Sequence, residues 1–152
     1  MSELIKKEHV DASRGKIAEV VSYLAELPQI ECPVVHRFAP GCYLREITMP
    51  KDSVVVGKIH ATEHFNIIIS GSATVITIND SGDFERVLVS AGDTFVSGAG
   101  VQKAVVNHAD CTWQTVHVTD KTDIAEIEKD VIAESYDQLA ISSLIAEAGR
   151  IE

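Results

Sequence analysis

Residues 57–71 read GKIHATEHFNIIISG and contain two closely spaced histidines. A short turn after His60 is predicted to place His64 at the start of the next strand. Two imidazoles at adjoining strand ends can converge on one ion, with Glu63 between them. Since side chains alternate along a strand, four of them are predicted to share one face. These are Val54, Val56, Lys58 and His60.

A second candidate segment is residues 111–117, CTWQTVH. In a strand, Trp113, Thr115 and His117 share a face, so His117 can supply a third imidazole. Zinc, iron and manganese accept such nitrogen and oxygen ligands. By spacing alone, however, a solvated or core histidine pair is the commoner explanation.

Short β-type runs separated by turn residues surround these segments from residue 34 to residue 118. So many short strands at this spacing favour a sandwich or small barrel over βαβ units. The predicted strands are 34–38, 42–48, 53–60, 64–70, 73–78, 84–89, 93–97, 103–107 and 112–118.

Helical periodicity appears at both ends of the chain. Asp11 or Ser13 is predicted to cap an N-terminal helix that Pro28 ends. Asp123 and Glu126 resemble a capping box, and a last amphipathic segment covers 141–149. The end helices could close the mouth of a barrel, form an oligomer contact or cover a sheet edge.

The composition is that of one globular domain. The chain has 152 residues, of which 45% are hydrophobic and 24% charged. No apolar run is long enough to span a membrane, and the N-terminus lacks a signal peptide, so we expect a cytoplasmic protein without membrane contacts. Three cysteines without a C-x-x-C pair also fit a reducing compartment and buried structural thiols.

The formal net charge of −10 argues against nucleic-acid binding. Residues 120–152 hold nine acidic and three basic residues, which is typical of a solvated helical face. Three parts are therefore predicted: an N-terminal helical extension (1–30), a β-barrel (31–119) and an acidic C-terminal helical segment (120–152).

Two stretches resemble the paired motifs of the cupin superfamily. Residues 57–71 are similar to the first motif, G-x5-H-x-H-x3,4-E-x6-G. Residues 92–107, GDTFVSGAGVQKAVVN, are similar to the second, G-x5-P-x-G-x2-H-x3-N. Within the superfamily the chain resembles small single-domain cupin-like proteins often found in bacteriophage genomes.

This resemblance implies an all-β core, the cupin-type double-stranded β-helix or jelly roll, with an N-terminal helix and C-terminal helices. His60 falls on the second histidine of the first motif, and His64 falls on its glutamate. Lys58 and Lys103 stand where the family has histidines. Because a protonated lysine is a poor metal ligand, a standard cupin metal site is not expected.

Two hypotheses about the cavity follow. In the first, His60, His64 and His117 hold one divalent metal (Fe, Zn, Mn or Ni), with Glu63 as a substitute third ligand. Such a site would suit a lyase, isomerase or oxygenase acting on a small polar substrate, with His64 or Glu63 as general base.

In the second hypothesis the protein is a metal-free, non-catalytic binder or sequestering protein. Lys58 and Lys103 would point inward and hold an anionic small molecule. Trp113 is expected in the core, or as an aromatic wall beside His117 that would suit a ring-shaped ligand. Arg45 is assigned to a cross-strand ion pair or to the cavity mouth. A desolvated lysine could also act as a nucleophile or base.

A third hypothesis is a structural or interaction protein whose cavity is filled by core side chains. Under every hypothesis a homo-oligomer is expected, with a dimer favoured, since cupins commonly pair through their sheets.

Overall fold

Antiparallel β-strands make up most of the computed structural model, which describes residues 2–133. Helix α1 covers Glu3–Ala25 and helix α2 covers Ile124–Val131. The described strands are β1 (Val34–Ala39), β2 (Cys42–Met49), β3 (Val54–Val56), β4 (Ile59–His60), β5 (His64–Ser70), β6 (Ser72–Ile78), β7 (Phe84–Ser90), β8 (Thr94–Ser97), β9 (Ala104–Asn107), β10 (Cys111–Val118) and β11 (Ile132–Ala133).

Two sheets carry the fold. One has the strand order β1-β2-β10-β5-β8 and the other β3-β9-β6-β7, while β4 and β11 form a separate pair. Strands that are distant in sequence lie side by side, as in the β2–β10 ladder where Cys111 is opposite Met49. This arrangement is a jelly roll, as the motif resemblance implied, and it agrees with the sandwich or small barrel that the strand pattern predicted.

The core lies between the two sheets. Along β5, His64, Asn66 and Ile68 are buried while Phe65 is exposed, which is the alternation of a strand with one buried face. A cluster of buried side chains joins the sheets: Met49, Ile68, Ala73, Val75, Val89, Val105, Cys111 and Trp113.

The predicted strand 53–60 is interrupted. β3 ends at Val56 and β4 begins at Ile59, and the intervening Gly57 donates its N–H to the Lys103 carbonyl at 2.9 Å. The break ends β3 at Val56. Val54 and Lys58 are exposed, whereas Val55, on the opposite face of β3, packs against the core.

Helix α1 begins earlier than predicted. Ser2 caps it by accepting from the N–H of Ile5, so neither Asp11 nor Ser13 is the cap. Ser13 is buried and instead donates to the Gly82 carbonyl in the β6–β7 turn at 2.5 Å. The helix ends before Pro28, as the sequence predicted.

Helix α2 closes one end of the sandwich. Asp123 caps it by accepting from the N–H of Glu126 at 3.0 Å, which confirms the predicted start. Ile127 and Val131 pack on Tyr43 in a cluster separate from the main core. The predicted helical segment 141–149 lies outside the described residues. Neither described helix is long and apolar enough to cross a membrane.

Candidate functional site: a histidine cavity beneath helix α2

Three histidines meet at the end of the sandwich that α2 covers. His60 ends β4, His64 begins β5 and His117 lies near the end of β10. Their ring centroids are 4.3 Å apart for His60 and His64, 4.9 Å for His64 and His117, and 5.8 Å for His60 and His117. The structure therefore brings together all three imidazoles that the sequence singled out.

Hydrogen bonds orient two of these rings. His64 donates from Nδ1 to the Thr62 carbonyl at 3.1 Å, which leaves a lone pair on its Nε2. The Nε2 of His117 lies 3.1 Å from the Thr115 hydroxyl oxygen. Within residues 2–133, the buried Nδ1 atoms of His60 and His117 have no hydrogen-bond partner. These two nitrogens are buried with their hydrogen-bonding capacity unused by the described residues.

Burial keeps the imidazoles neutral. Burial, with smaller electrostatic contributions from His64 and Lys103, lowers the pKa of His60 to about 3. It lowers the pKa of His117 to about 4, and it also lowers the pKa of His64. At neutral pH the cluster therefore presents uncharged rings that can donate or accept hydrogen bonds.

Lys103 is the fourth member of the cluster. Its side chain is buried at 8% exposure, and its Nζ lies 3.5 Å from the Nε2 of His64. Burial lowers the pKa of Lys103 to about 8. No carboxylate among residues 2–133 forms an ion pair with it. As far as residues 2–133 show, the site thus contains a buried amine without a counter-ion, an arrangement that is costly for a ligand-free protein.

Two connected spaces surround these groups, and we call them together the histidine cavity. The outer space, of about 250 Å³, is lined by Tyr43, Arg45, His60 and His117, and α2 covers it with Ile127 and Val131. The inner space, of about 90 Å³, shares Arg45 and His60 with the outer one. It reaches further residues: Asn66, Lys103, Trp113 and Thr115.

The other predicted site residues lie in different places. Glu63 is exposed beside the cluster, and Lys58 is exposed at the rim of the cavity rather than pointing inward. Trp113 is 4% exposed in the main core and donates from Nε1 to Asn66 Oδ1 at 3.0 Å. Its ring also borders the inner space.

Sequence analysis missed Tyr43, and of its two alternatives for Arg45 the structure shows the position at the cavity. In the β2–β10 ladder Tyr43 is opposite His117, and their rings stack at 5.9 Å. The Tyr43 hydroxyl lies 2.6 Å from His36 Nδ1. Alternation along 42–49 does place Tyr43 and Arg45 on one face, but only the strand order brings that face to His117.

A divalent metal, which the cupin motifs imply, fits the chemistry of this site but not its geometry. Three neutral imidazoles, two of them with orphaned nitrogens, suit such an ion chemically. Their arrangement does not, because the rings face one another with interplanar angles of 13–35° and Lys103 adds a positive charge. Among the residues described, no group of histidine, cysteine or acidic side chains could hold a metal as placed.

Comparisons with known proteins identify the fold. No family model matches the sequence, and no curated protein matches it significantly. Among solved structures, an oxalate decarboxylase matches at a TM-score of 0.54 and 13% identity, over 64% of this chain and 28% of that one. The chain has a cupin-type jelly-roll fold.

Smaller proteins with this fold also align with the cupin-fold chain. A cupin superfamily protein from Desulfitobacterium hafniense has a TM-score of 0.49 and 10% identity, covering 62% of this chain and 84% of that one. A cupin-2 domain protein from Shewanella frigidimarina has a TM-score of 0.45 and 11% identity, covering 64% and 89%. Nothing in these comparisons supports the resemblance to bacteriophage proteins.

Proposed function

We propose that this cupin-fold protein binds a small anionic molecule in the histidine cavity without needing a metal. Carboxylates and phosphates are the expected ligand groups. Lys103 and Arg45 would supply positive charge, and the neutral histidines would supply hydrogen bonds. In this role the protein is a binder or sequestering protein.

The observation that carries this proposal is the charge of the cavity. Lys103 is buried without an acidic partner among residues 2–133, and Arg45 lines the same space with no ion pair to any described carboxylate. Lys58 adds a third positive charge at the rim. Against these three, Glu128 is the single acidic residue of the described lining, so a protein with a net charge of −10 encloses a cavity whose lining is net positive. An anion would offset the desolvation of the buried ammonium.

Thermal unfolding of metal-free protein tests the proposal. Phosphate, succinate and sugar phosphates should raise the melting temperature by several degrees, because a ligand that binds only the folded state stabilises it. Lys103→Met should abolish the shift, whereas Lys51→Met, at an exposed turn, should leave it intact. Equal shifts in both variants would contradict anion binding at Lys103.

A metal-dependent lyase, isomerase or oxygenase is the second candidate. The Nδ1 bond from His64 to the Thr62 carbonyl favours it, because metal-bound histidines commonly anchor their second nitrogen in this way. His60, His64 and His117 would be the ligands once their rings turn edge-on to the ion, and Glu63 would lie nearby as a general base.

Elemental analysis of untagged protein separates the two candidates. About one equivalent of Fe, Zn, Mn or Ni, lost in the double variant His60→Ala/His64→Ala, would support the enzyme. No metal after incubation with each ion would contradict it. The cytoplasmic location, the homo-oligomeric state and a purely structural role stay predictions.

A further inference from the structure

A further cavity lies outside the histidine cavity. This edge groove, of about 510 Å³, opens between β7 and β8, the edge strands of the two sheets. Its lining is mainly apolar and includes Val75, Val87, Val89, Phe95 and Val96. Apolar clefts of this size with a few fixed polar groups are typical small-molecule sites.

One end of the edge groove is polar and lies near His64. Ser97 is opposite His64 in the β5–β8 ladder, and Lys103 Nζ lies 3.5 Å from His64 Nε2. Both Ser97 and Lys103 line the groove. Lys103 also lines the inner space of the histidine cavity, so this buried residue separates the two spaces.

Two acidic residues also line the groove, and a hydrogen bond engages each carboxylate. Glu85 is opposite Thr77 in the β6–β7 hairpin and accepts from Asn79 Nδ2 at 3.2 Å. Asp93 accepts from the Ser90 N–H at 2.8 Å in the turn before β8. Lys103 is the only described residue with a positively charged side chain that lines the groove.

We infer that the edge groove binds the hydrocarbon chain of an aliphatic carboxylate whose carboxylate group contacts Lys103. The apolar walls would bury the chain, and the lysine would complement the charge at the inner end. This inference rests on the proposed function only for the role of Lys103. It adds a substrate class, amphipathic monocarboxylates, and a second entrance to the site.

Val87 provides a variant that separates the two sites. It lines the groove but is 55% exposed on an edge strand, so Val87→Glu should fold normally while placing a negative charge in the hydrocarbon path. Val118→Glu is the matched control, because Val118 is 89% exposed on β10 and does not line the groove.

Isothermal titration calorimetry with decanoate, decyltrimethylammonium and phosphate is the test. Wild type should bind decanoate at least about tenfold more tightly than the decyl cation, and Lys103→Met should remove this preference. Val87→Glu should weaken the binding of decanoate at least about tenfold and leave the binding of phosphate unchanged.

Three results would overturn the inference. Phosphate binding that depends on Lys103, together with decanoate binding that ignores Val87→Glu, would leave the proposed function intact and eliminate the groove. A wild-type dimer that ignores decanoate and dissociates in Val87→Glu would make the groove an interface between copies. Loss of both ligands in Lys103→Met with no effect of Val87→Glu would likewise limit binding to the histidine cavity.

Discussion

Lys103 connects stability with binding at the scale of single residues. Its ammonium has no acidic partner among the described residues, so Lys103→Met should raise the free energy of unfolding of ligand-free protein by about 1–3 kcal/mol at neutral pH. Urea denaturation measures the difference, with Lys51→Met as the control. A destabilised Lys103→Met would show that an unseen partner already compensates the charge.

The pH dependence of this effect has a definite sign. The pKa of Lys103 is lowered from 10.5 to about 8, so between these values the unfolded chain binds more protons than the folded one. Wild-type stability should therefore rise as the pH increases through this window. In Lys103→Met this rise in stability should be absent. Parallel pH profiles of wild type and variant would contradict the assignment.

The lowered pKa values of the buried histidines predict that acid destabilises the protein. Folding lowers the pKa of His60 from 6.5 to about 3 and that of His117 from 6.5 to about 4. The unfolded state therefore binds more protons below pH 6.5, and stability should fall by more than about 2 kcal/mol as the pH decreases toward 4. His117→Gln should reduce the fall, whereas His108→Gln, at an exposed position, should not.

At the scale of elements, helix α2 should open independently of the two sheets. Ile127 is fully buried, yet it packs with Tyr43 and Val131 rather than with the main core. Ile127→Ala should speed amide hydrogen exchange in 124–133 and in the paired β4 strand, at a local cost of about 2–4 kcal/mol. The exchange of β6 should not change. Uniform acceleration everywhere would mean that α2 and the core unfold together.

Helix α1 depends on a glycine for its contact with the sandwich. A Cβ on Gly82 would lie 2.7 Å from the Val10 nitrogen, and the φ of Gly82 is +88°. Gly82→Ala should therefore loosen α1, which hydrogen exchange of the helix would report. Gly92→Ala is the control, because its φ of +95° carries similar backbone strain with no atom within 4 Å. If both substitutions accelerated the hydrogen exchange of α1 equally, backbone strain alone would explain the effect.

At the scale of the whole molecule, charge limits the partners. The chain has a net charge of −10, and the positive groups of the histidine cavity are buried or confined to its rim. We expect no binding to duplex DNA even at low salt, where electrostatic attraction to phosphates is strongest. Fluorescence anisotropy of a labelled duplex measures this. Salt-sensitive binding would reveal a basic surface outside the cavity.

The sequence by itself determined the architecture. Alternation and turn residues predicted most strand positions to within a residue or two, because each depends on local pattern. Local chemistry also predicted the Asp123 cap. Errors arose where tertiary contacts override pattern, as at Gly57, whose N–H pairs with the Lys103 carbonyl and interrupts the strand.

Only the tertiary structure decided the composition of the site. His117 reaches His64 because β10 pairs with β5, a strand order that no local pattern encodes. The two lysines looked equivalent in the motifs, yet Lys103 is buried and Lys58 is exposed. Burial, charge pairing and pKa depend on neighbours that are distant in sequence, so they emerge only when the sheets pack together.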